Sequence, residues 1–206
     1  MNSGSREKII GAAVYEFAKK GYDPVTTRDI CARADINISA IYYYFKNKRG
    51  LYEEVLRYVV EVINSYLGDV IKEYDEFKKY TPVASECRKM LQQIIHKFIE
   101  GICLPKVPKE IVTIYLMEYV KPSECFHIFE ENLNKVYMPI ISDLLMEANE
   151  GKMTEENATL STFMLFSQIF NVAVRKDSIS KMMGWSNYSE KEIKKICEVI
   201  DNSFIL

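Results

Sequence analysis

The chain has 206 residues, 48% hydrophobic and 27% charged, with only 8 Gly and 6 Pro, a composition that excludes extensive disorder. No segment approaches the roughly 18 uncharged residues of a membrane span, and the first ten residues lack a signal-peptide type of apolar run, so we expect a cytoplasmic protein with no membrane partner. The net charge of the chain is -2, but residues 1–50 hold nine bases and five acids. This N-terminal part therefore carries +4 and the remainder -6, an asymmetry that fits phosphate contact at the N-terminal end.

The cysteines argue against a metal site. They are 5 in number, an odd count, and show neither CxxC nor Cys/His spacing. A structural metal and a disulfide framework are therefore not supported, and no metal or cofactor is expected. We expect buried, reduced thiols at Cys31, Cys87, Cys103, Cys125 and Cys197.

The N-terminal region begins with the pattern of two helices. Over residues 6–20 the apolar side chains recur with the 3.6-residue period of a one-faced helix, which Gly21 ends. Thr26 and Thr27 then offer an N-cap for a second helix. The turn after that helix is expected at residues 35–37.

The next stretch predicts a short helix rich in tyrosine and a long helix behind it. Ser39 is expected to cap the third helix, in which Ile41 and Phe45, four residues apart, face inward. Asn47 is expected to cap a fourth helix over residues 47–74, which links two domains.

The third helix has the features of a helix that reads DNA. Successive helical residues point about 100° apart, so tyrosines 42–44 cannot all be buried in so small a domain. Ala40 offers a methyl-sized surface to a thymine methyl group. Thr27 and Arg28 at the start of the second helix can bind phosphate, and Lys48 lies where the DNA backbone would run. The alternative is that the tyrosines belong to the core.

A continuous set of residues between 6 and 60 resembles a known family. The set is Phe17-Ala18-x-x-Gly21-Tyr22, Thr26-Thr27-Arg28-Asp29-Ile30, Ala34, Ile41-Tyr42-Tyr43-Tyr44-Phe45-Lys46-Asn47-Lys48 and Leu51. It resembles the N-terminal domain of the TetR family of bacterial transcription regulators. The resemblance implies a helix-turn-helix DNA-binding domain over residues 1–50, with Tyr44 where the family usually has His. It also implies that the operator is faced by Thr27, Arg28, Ser39, Ala40, Tyr42, Tyr43, Tyr44 and Lys48.

The rest of the chain also reads as helix. The family resemblance implies an all-α fold in which residues 51–206 form a larger ligand-binding and dimerisation domain, giving about nine helices in total. Pro139 should kink or break the helix predicted over residues 124–149. Proline and glycine punctuation indicates helices over 83–104, 109–120, 124–149, 155–175 and 189–204.

The helix predicted over residues 155–175 is apolar on more than one side. Such a helix is buried all round, and a partner subunit is the natural cover. The alternative is a central helix inside one subunit, because periodicity cannot identify the cover. We expect a homodimer whose four-helix interface, as in most TetR-like proteins, includes Phe163, Phe170, Ile193, Ile196 and Ile200.

The C-terminal part resembles the CecR-like type within the family, which would imply a regulator of efflux or drug tolerance. The features shared with that type are Met117-Glu118, Pro122-Ser123, Pro139, Ser167-Gln168 and Gly184-Trp185. Aromatic side chains are expected to line an effector pocket, although such a set is also typical of plain core. They are Tyr66, Phe98, Tyr115, Tyr119, Phe126, Phe163 and Phe166.

The motifs of enzymes are missing from the sequence. There is no GxSxG, no Gly-rich phosphate loop and no HExxH, and two His leave little material for acid–base or metal chemistry. We therefore expect a repressor that a small molecule releases from a double-stranded DNA operator. In the released dimer the two reading helices no longer match half-sites about 34–36 Å apart. The open alternatives are a helical protein-interaction module and a small helical enzyme, neither of which binds DNA.

Overall fold

The computed structural model describes residues 3–204, and all regular structure within this range is helical. The all-α fold predicted from the sequence is confirmed. The elements are α1 (Ser3–Lys20), α2 (Thr27–Ala34), α3 (Ile38–Phe45), α4 (Lys48–Leu67), α5 (Asp69–Phe77), α6 (Ala84–Cys103), α7 (Lys109–Val120), α8 (His127–Phe129), a π-helical turn (Glu130–Asn134), α9 (Lys135–Ala148), α10 (Glu155–Val174), α11 (Lys176–Met183) and α12 (Glu190–Phe204). No helix in the described range is long and apolar enough to cross a membrane.

The chain forms two compact units. Unit 1 combines the chain up to Ile63 with Pro108–Asn132, and unit 2 combines Asn64–Val107 with the chain from Leu133 onward. This division differs from the boundary expected after residue 50. The reason is that α7 packs against α1, so a segment distant in sequence joins the helix-turn-helix region.

Unit 1 is built around the buried faces of α1, α3, α4 and α7. Capping side chains define where its short helices begin. Thr26 and Asp29 form a reciprocal capping box at the start of α2, and Asn47 Oδ1 accepts a 2.8 Å hydrogen bond from the Gly50 N–H in α4. The cap of α3 is Asn37, whose Oδ1 accepts from the Ser39 N–H at 3.0 Å, and not Ser39 as predicted. The amide of Asn37 satisfies an N–H of the first turn, the role that was expected of Ser39 two residues later.

The long helix predicted over residues 47–74 is interrupted. α4 ends at Leu67, and Gly68 separates it from α5. A Cβ atom on Gly68 would lie 2.6 Å from the carbonyl oxygen of Asn64, so the break accommodates only glycine. Glycine is also a poor helix former, which makes it a natural place for the helix to end.

The helix predicted over residues 124–149 is also divided. The described chain passes through α8 and the wide π-helical turn before α9 begins at Lys135. Pro139 lies inside α9 without ending it, so the interruption precedes the proline. A proline ring crowds the carbonyl four residues earlier, here that of Lys135, and the widened turn changes the helical path just before that point.

Unit 2 packs α6, α9, α10 and α12 around an apolar core. Phe98 lies edge-on to Tyr137 and to Phe166, with ring centres 5.5 and 5.3 Å apart. α11, which follows α10 directly, was not anticipated from the sequence. All five cysteines of the chain are buried free thiols, as predicted.

Candidate nucleic-acid interface

A tight turn joins α2 to α3. Asp35 adopts the left-handed conformation with φ of 52°, which a short polar residue tolerates better than most. The Ile36 N–H returns to the Cys31 carbonyl at 3.2 Å and closes the end of α2. The two helices therefore form a helix-turn-helix, with α3 in the second, DNA-reading position.

α3 has one buried face and one exposed face. Ile41 and Phe45 are buried in the core of unit 1. Tyr42 and Tyr43 are 55% and 68% exposed, and Tyr44 is half-buried with its ring edge-on to that of Tyr43 at 5.0 Å. The three tyrosines are therefore not a core cluster. Their hydroxyl groups can donate to phosphate or to base edges.

A shallow groove of about 450 Å³ runs beside the start of α3. It brings together several residues predicted to face DNA. It is lined by Ser5, Ile36, Asn37, Ser39, Ala40, Tyr43 and Tyr44. Small, hydroxyl and aromatic side chains at the N-terminal end of a reading helix match the position from which such helices contact base edges.

The start of α2 is available for an anion. Thr27 is half-buried and Arg28 is exposed at the first two positions of this helix. Their backbone N–H groups precede the first helical hydrogen bonds, and helix N-termini carry partial positive charge. A phosphate could therefore receive backbone and guanidinium hydrogen bonds here.

The ammonium group of Lys48 is held in place at the start of α4. Nζ donates to the Asp23 carbonyl at 3.0 Å and lies 4.3 Å from the centre of the Tyr22 ring. Partial burial lowers the pKa of Lys48. An ammonium has three donors, so two remain for a phosphate. Its neighbour Arg49 is bonded to Glu53 at 3.1 Å and to Glu124 at 3.0 Å.

Sequence reasoning named Glu118 but missed its buried hydrogen bonds next to this site. The carboxylate of Glu118 in α7 is 3% exposed and accepts a 2.7 Å hydrogen bond from the Tyr52 hydroxyl. It also accepts from the N–H and the hydroxyl of Ser123, each at 3.0 Å. Glu118 and Ser123 both belong to the features that resemble the CecR type, but that resemblance does not reveal that they bond to each other or to Tyr52.

The residues predicted to line an effector pocket do not form a single cluster within either unit. In unit 2, Phe98 and Phe166 pack together, while Tyr66 donates to the Lys97 carbonyl at 3.3 Å. In unit 1, Tyr115 and Phe126 each pack against Phe129, with ring centres 5.3 and 6.4 Å apart.

The other two predicted pocket residues are more exposed than these five. Tyr119 is 39% exposed in unit 1, and Phe163 in unit 2 is exposed. The prediction that Phe163 lines a pocket is corrected by that exposure, because its side chain lies on the outer face of α10.

Four of the five residues predicted at the dimer interface are buried inside their own chain. They pack into the core of unit 2 because α12 and the inner face of α10 supply that core. Their expected role is corrected for Phe170, Ile193, Ile196 and Ile200. Phe163 is the exception, at 55% exposed. It belongs to an exposed apolar stripe on α10 formed by Leu160, Phe163, Met164 and Val174.

Comparison with known proteins decides the family. Residues 9–55 match the model for bacterial regulatory proteins of the tetR family. Residues 87–206, more than half of the chain, match the C-terminal domain of the HTH-type transcriptional dual regulator CecR. This chain belongs to the TetR family. Its C-terminal domain is of the CecR type, and family membership makes it a ligand-responsive, DNA-binding transcription regulator.

Individual relatives agree with this assignment. The dual regulator CecR of Shigella flexneri is 24% identical over 95% of this TetR-family chain and 87% of its own length. The structure of AibR with isovaleryl coenzyme A and operator DNA aligns over 96% of both chains with a TM-score of 0.68 and 13% identity. FadR from Bacillus subtilis, solved with stearoyl-CoA, aligns over 97% of both chains with a TM-score of 0.63 and 20% identity. At these identities the solved structures support the fold alone.

Proposed function

We propose that this chain is a homodimeric repressor that binds operator DNA through α3 and is released by a small molecule. A regulatory role is proposed in place of a catalytic one. The observation that carries the proposal is the two-faced character of α3. Ile41 and Phe45 are buried in the core of unit 1, while Tyr42 and Tyr43 are exposed on the opposite face and add nothing to that core.

The predicted DNA-facing residues divide into two roles. Thr27, Arg28 and Lys48 surround helix N-termini and carry the donors that phosphates require. Ser39, Ala40, Tyr43 and Tyr44 occupy the start and outer face of α3, where base edges would be read, and Tyr42 borders the backbone. Phosphate contacts fix the orientation of the domain, and base contacts provide the sequence preference.

The dimer proposal uses the exposed stripe on α10. Leu160, Phe163 and Met164 are large apolar side chains on adjacent turns, and their exposure to water is unfavourable. A second copy of the same stripe related by a two-fold axis would cover all of them at once. A two-fold dimer would also present two α3 helices to a palindromic operator with half-sites about 34–36 Å apart.

The effector proposal concerns unit 2. Phe98, Phe166 and Tyr66 remain the proposed pocket residues, because apolar and aromatic side chains typically line small-molecule sites. AibR and FadR were solved with acyl-CoA molecules. Acyl-CoA thioesters of different chain length are therefore the first compounds to test. The effector can release DNA only to the extent that it binds the DNA-free arrangement of the dimer more tightly than the DNA-bound arrangement.

The test is selection of bound DNA fragments from the genome of the source organism. We expect the wild-type protein to enrich fragments that share a palindromic motif, and the Tyr43→Ala variant to lose that enrichment while remaining folded. Acyl-CoA thioesters are then added to the purified complex, and release is followed by fluorescence anisotropy. Enrichment without a shared motif, or equal enrichment by the variant, contradicts the assignment of α3 as the reading helix.

A further inference from the structure

Segment 108–132 belongs to unit 1, but the chain on both sides of it belongs to unit 2. α4 continues from unit 1 into unit 2. The backbone also passes between the units at residues 107–108 and 132–133. Any rearrangement in unit 2 that moves either of these junctions therefore acts on α7 and on the turn that follows it.

The end of α7 is fastened to α4 by a buried carboxylate. Glu118 accepts three hydrogen bonds, one from the hydroxyl of Tyr52 and two from Ser123. A buried charge is costly unless hydrogen bonds satisfy it, and a bond to a charged group is stronger than one between neutral groups. The partners of Glu118 are thus held in a defined arrangement, because alternatives would leave its charge unsatisfied.

The arrangement continues from Tyr52 to the proposed phosphate contact. The Tyr52 ring packs on Tyr22 with centres 4.5 Å apart and edge-on to Phe17 at 4.7 Å. The ammonium of Lys48 lies over the other end of this stack, 4.3 Å from the centre of the Tyr22 ring. A continuous set of contacts therefore joins Glu118 of α7 to Lys48 at the start of α4.

A second branch passes through the turn after α7. Ser123, held by Glu118, is followed by Glu124, whose carboxylate accepts from Arg49 Nη1 at 3.0 Å. Lys121 in the same turn pairs with Asp23 at 3.1 Å. These pairs are exposed and individually weak. They nevertheless place the turn beside Arg49 and beside Asp23, whose carbonyl accepts from Lys48.

We propose that Glu118 is a positioning residue for operator binding, which holds Tyr52 and through it fixes Lys48 against Tyr22 in the orientation that receives a phosphate. Movement of segment 108–132 then alters operator affinity without any change in α3 itself. This inference rests on the proposed function, specifically on Lys48 as a phosphate contact.

Three substitutions test the inference. Tyr52→Phe removes the hydroxyl that binds Glu118 and leaves the aromatic stack. Glu118→Gln removes the charge and keeps the shape. Tyr137→Phe is the matched control, because Tyr137 and Tyr52 are both 3% exposed, and Tyr137 donates its hydroxyl to Asn64 at 3.0 Å in unit 2.

Operator affinity is measured by fluorescence anisotropy at several salt concentrations, with circular dichroism and thermal unfolding as folding controls. We expect Tyr52→Phe and Glu118→Gln to bind about tenfold more weakly. We also expect a slope of log K against log salt that is shallower by up to about 1.8, since each lost phosphate contact removes about 0.9 and a dimer loses two. Tyr137→Phe should retain the wild-type affinity and slope.

The outcomes separate the proposals. Wild-type protein that binds no operator overturns the proposed function. Binding by wild-type protein with an unchanged salt slope in folded Tyr52→Phe overturns the positioning role alone. The positioning role is also overturned if Tyr52→Phe and Tyr137→Phe lose operator affinity to the same extent and this loss follows their loss of thermal stability. Tyr52→Phe deletes a single oxygen atom, so it decides the question if Glu118→Gln does not fold.

Discussion

The ammonium of Lys48 lies 4.3 Å from the centre of the Tyr22 ring, so the side chain most suited to a phosphate at the start of α4 is already positioned in the free protein. Its hydrogen bond to the Asp23 carbonyl limits the rotamers that it can occupy. Ordering a lysine side chain on binding normally costs conformational entropy, and a lysine that is ordered beforehand avoids much of that cost.

Replacement of Lys48 should weaken DNA binding in a way that depends on salt. We expect Lys48→Gln to reduce operator affinity and to make the slope of log K against log salt shallower by about 0.9 per protomer, because one phosphate contact is lost. Lys152→Gln is the control, since Lys152 is exposed in unit 2. Titration by fluorescence anisotropy at several salt concentrations measures both quantities. An unchanged slope for Lys48→Gln would show that its ammonium does not meet phosphate.

Tyr43 provides the most direct test of sequence reading. Its side chain is exposed and supports no core contact, so Tyr43→Ala should leave the unfolding temperature nearly unchanged. Operator affinity should fall by about 1–3 kcal/mol per half-site, while binding to unrelated DNA changes little. Tyr80→Ala is the matched control, because Tyr80 is a still more exposed tyrosine outside unit 1. Equal losses on operator and unrelated DNA would assign Tyr43 to the phosphate backbone.

Two phenylalanines on α10 should respond differently to the same substitution. Phe163 lies on the exposed stripe, so Phe163→Glu should preserve helicity and yield monomers. Phe170 is 4% exposed and packs against Phe166, so Phe170→Glu buries a charge and should unfold the chain. Light scattering with circular dichroism distinguishes the two results. A folded dimer that persists in Phe163→Glu would remove the stripe from the proposed interface.

Glu16 should make stability depend on pH. Its carboxylate bonds Arg33 at 2.6 Å and Lys20 at 2.9 Å, and these partners hold its pKa below the ordinary value of 4.5. A carboxyl group with a lowered pKa in the folded state stabilises the protein above pH 4.5, and this contribution is lost as the pH falls through the lower folded value.

The corresponding variant is Glu16→Gln. We expect it to melt a few degrees below wild type at pH 7, and the difference to shrink as the pH falls below 4.5. Glu198→Gln, on an exposed face of α12, should show little difference at either pH. Scanning calorimetry at pH 7 and below pH 4 measures the effect. A difference of constant size across this range would assign the loss to packing and not to the ion pairs.

Local patterns in the sequence were sufficient wherever neighbouring residues determine the structure. The N-cap at Thr26 and the opposed faces of α3 depend on contacts within one or two turns, so both could be predicted. The break at Gly68 was missed because one glycine in a long apolar pattern is weak evidence against a continuous helix. A turn was expected at residues 35–37, but the left-handed conformation of Asp35 was not.

The sequence by itself determined the all-α fold and the TetR family and predicted α3 as the reading helix, because periodicity, caps and motif residues are local properties. Only the tertiary structure decided which apolar face of α10 enters the core and which remains exposed, because periodicity does not identify what covers a face. It also decided that segment 108–132 joins unit 1, where Tyr52 bonds Glu118, 66 residues away in the chain. A pairing over that distance depends on how helices pack, and neither residue carries a local signal of its partner.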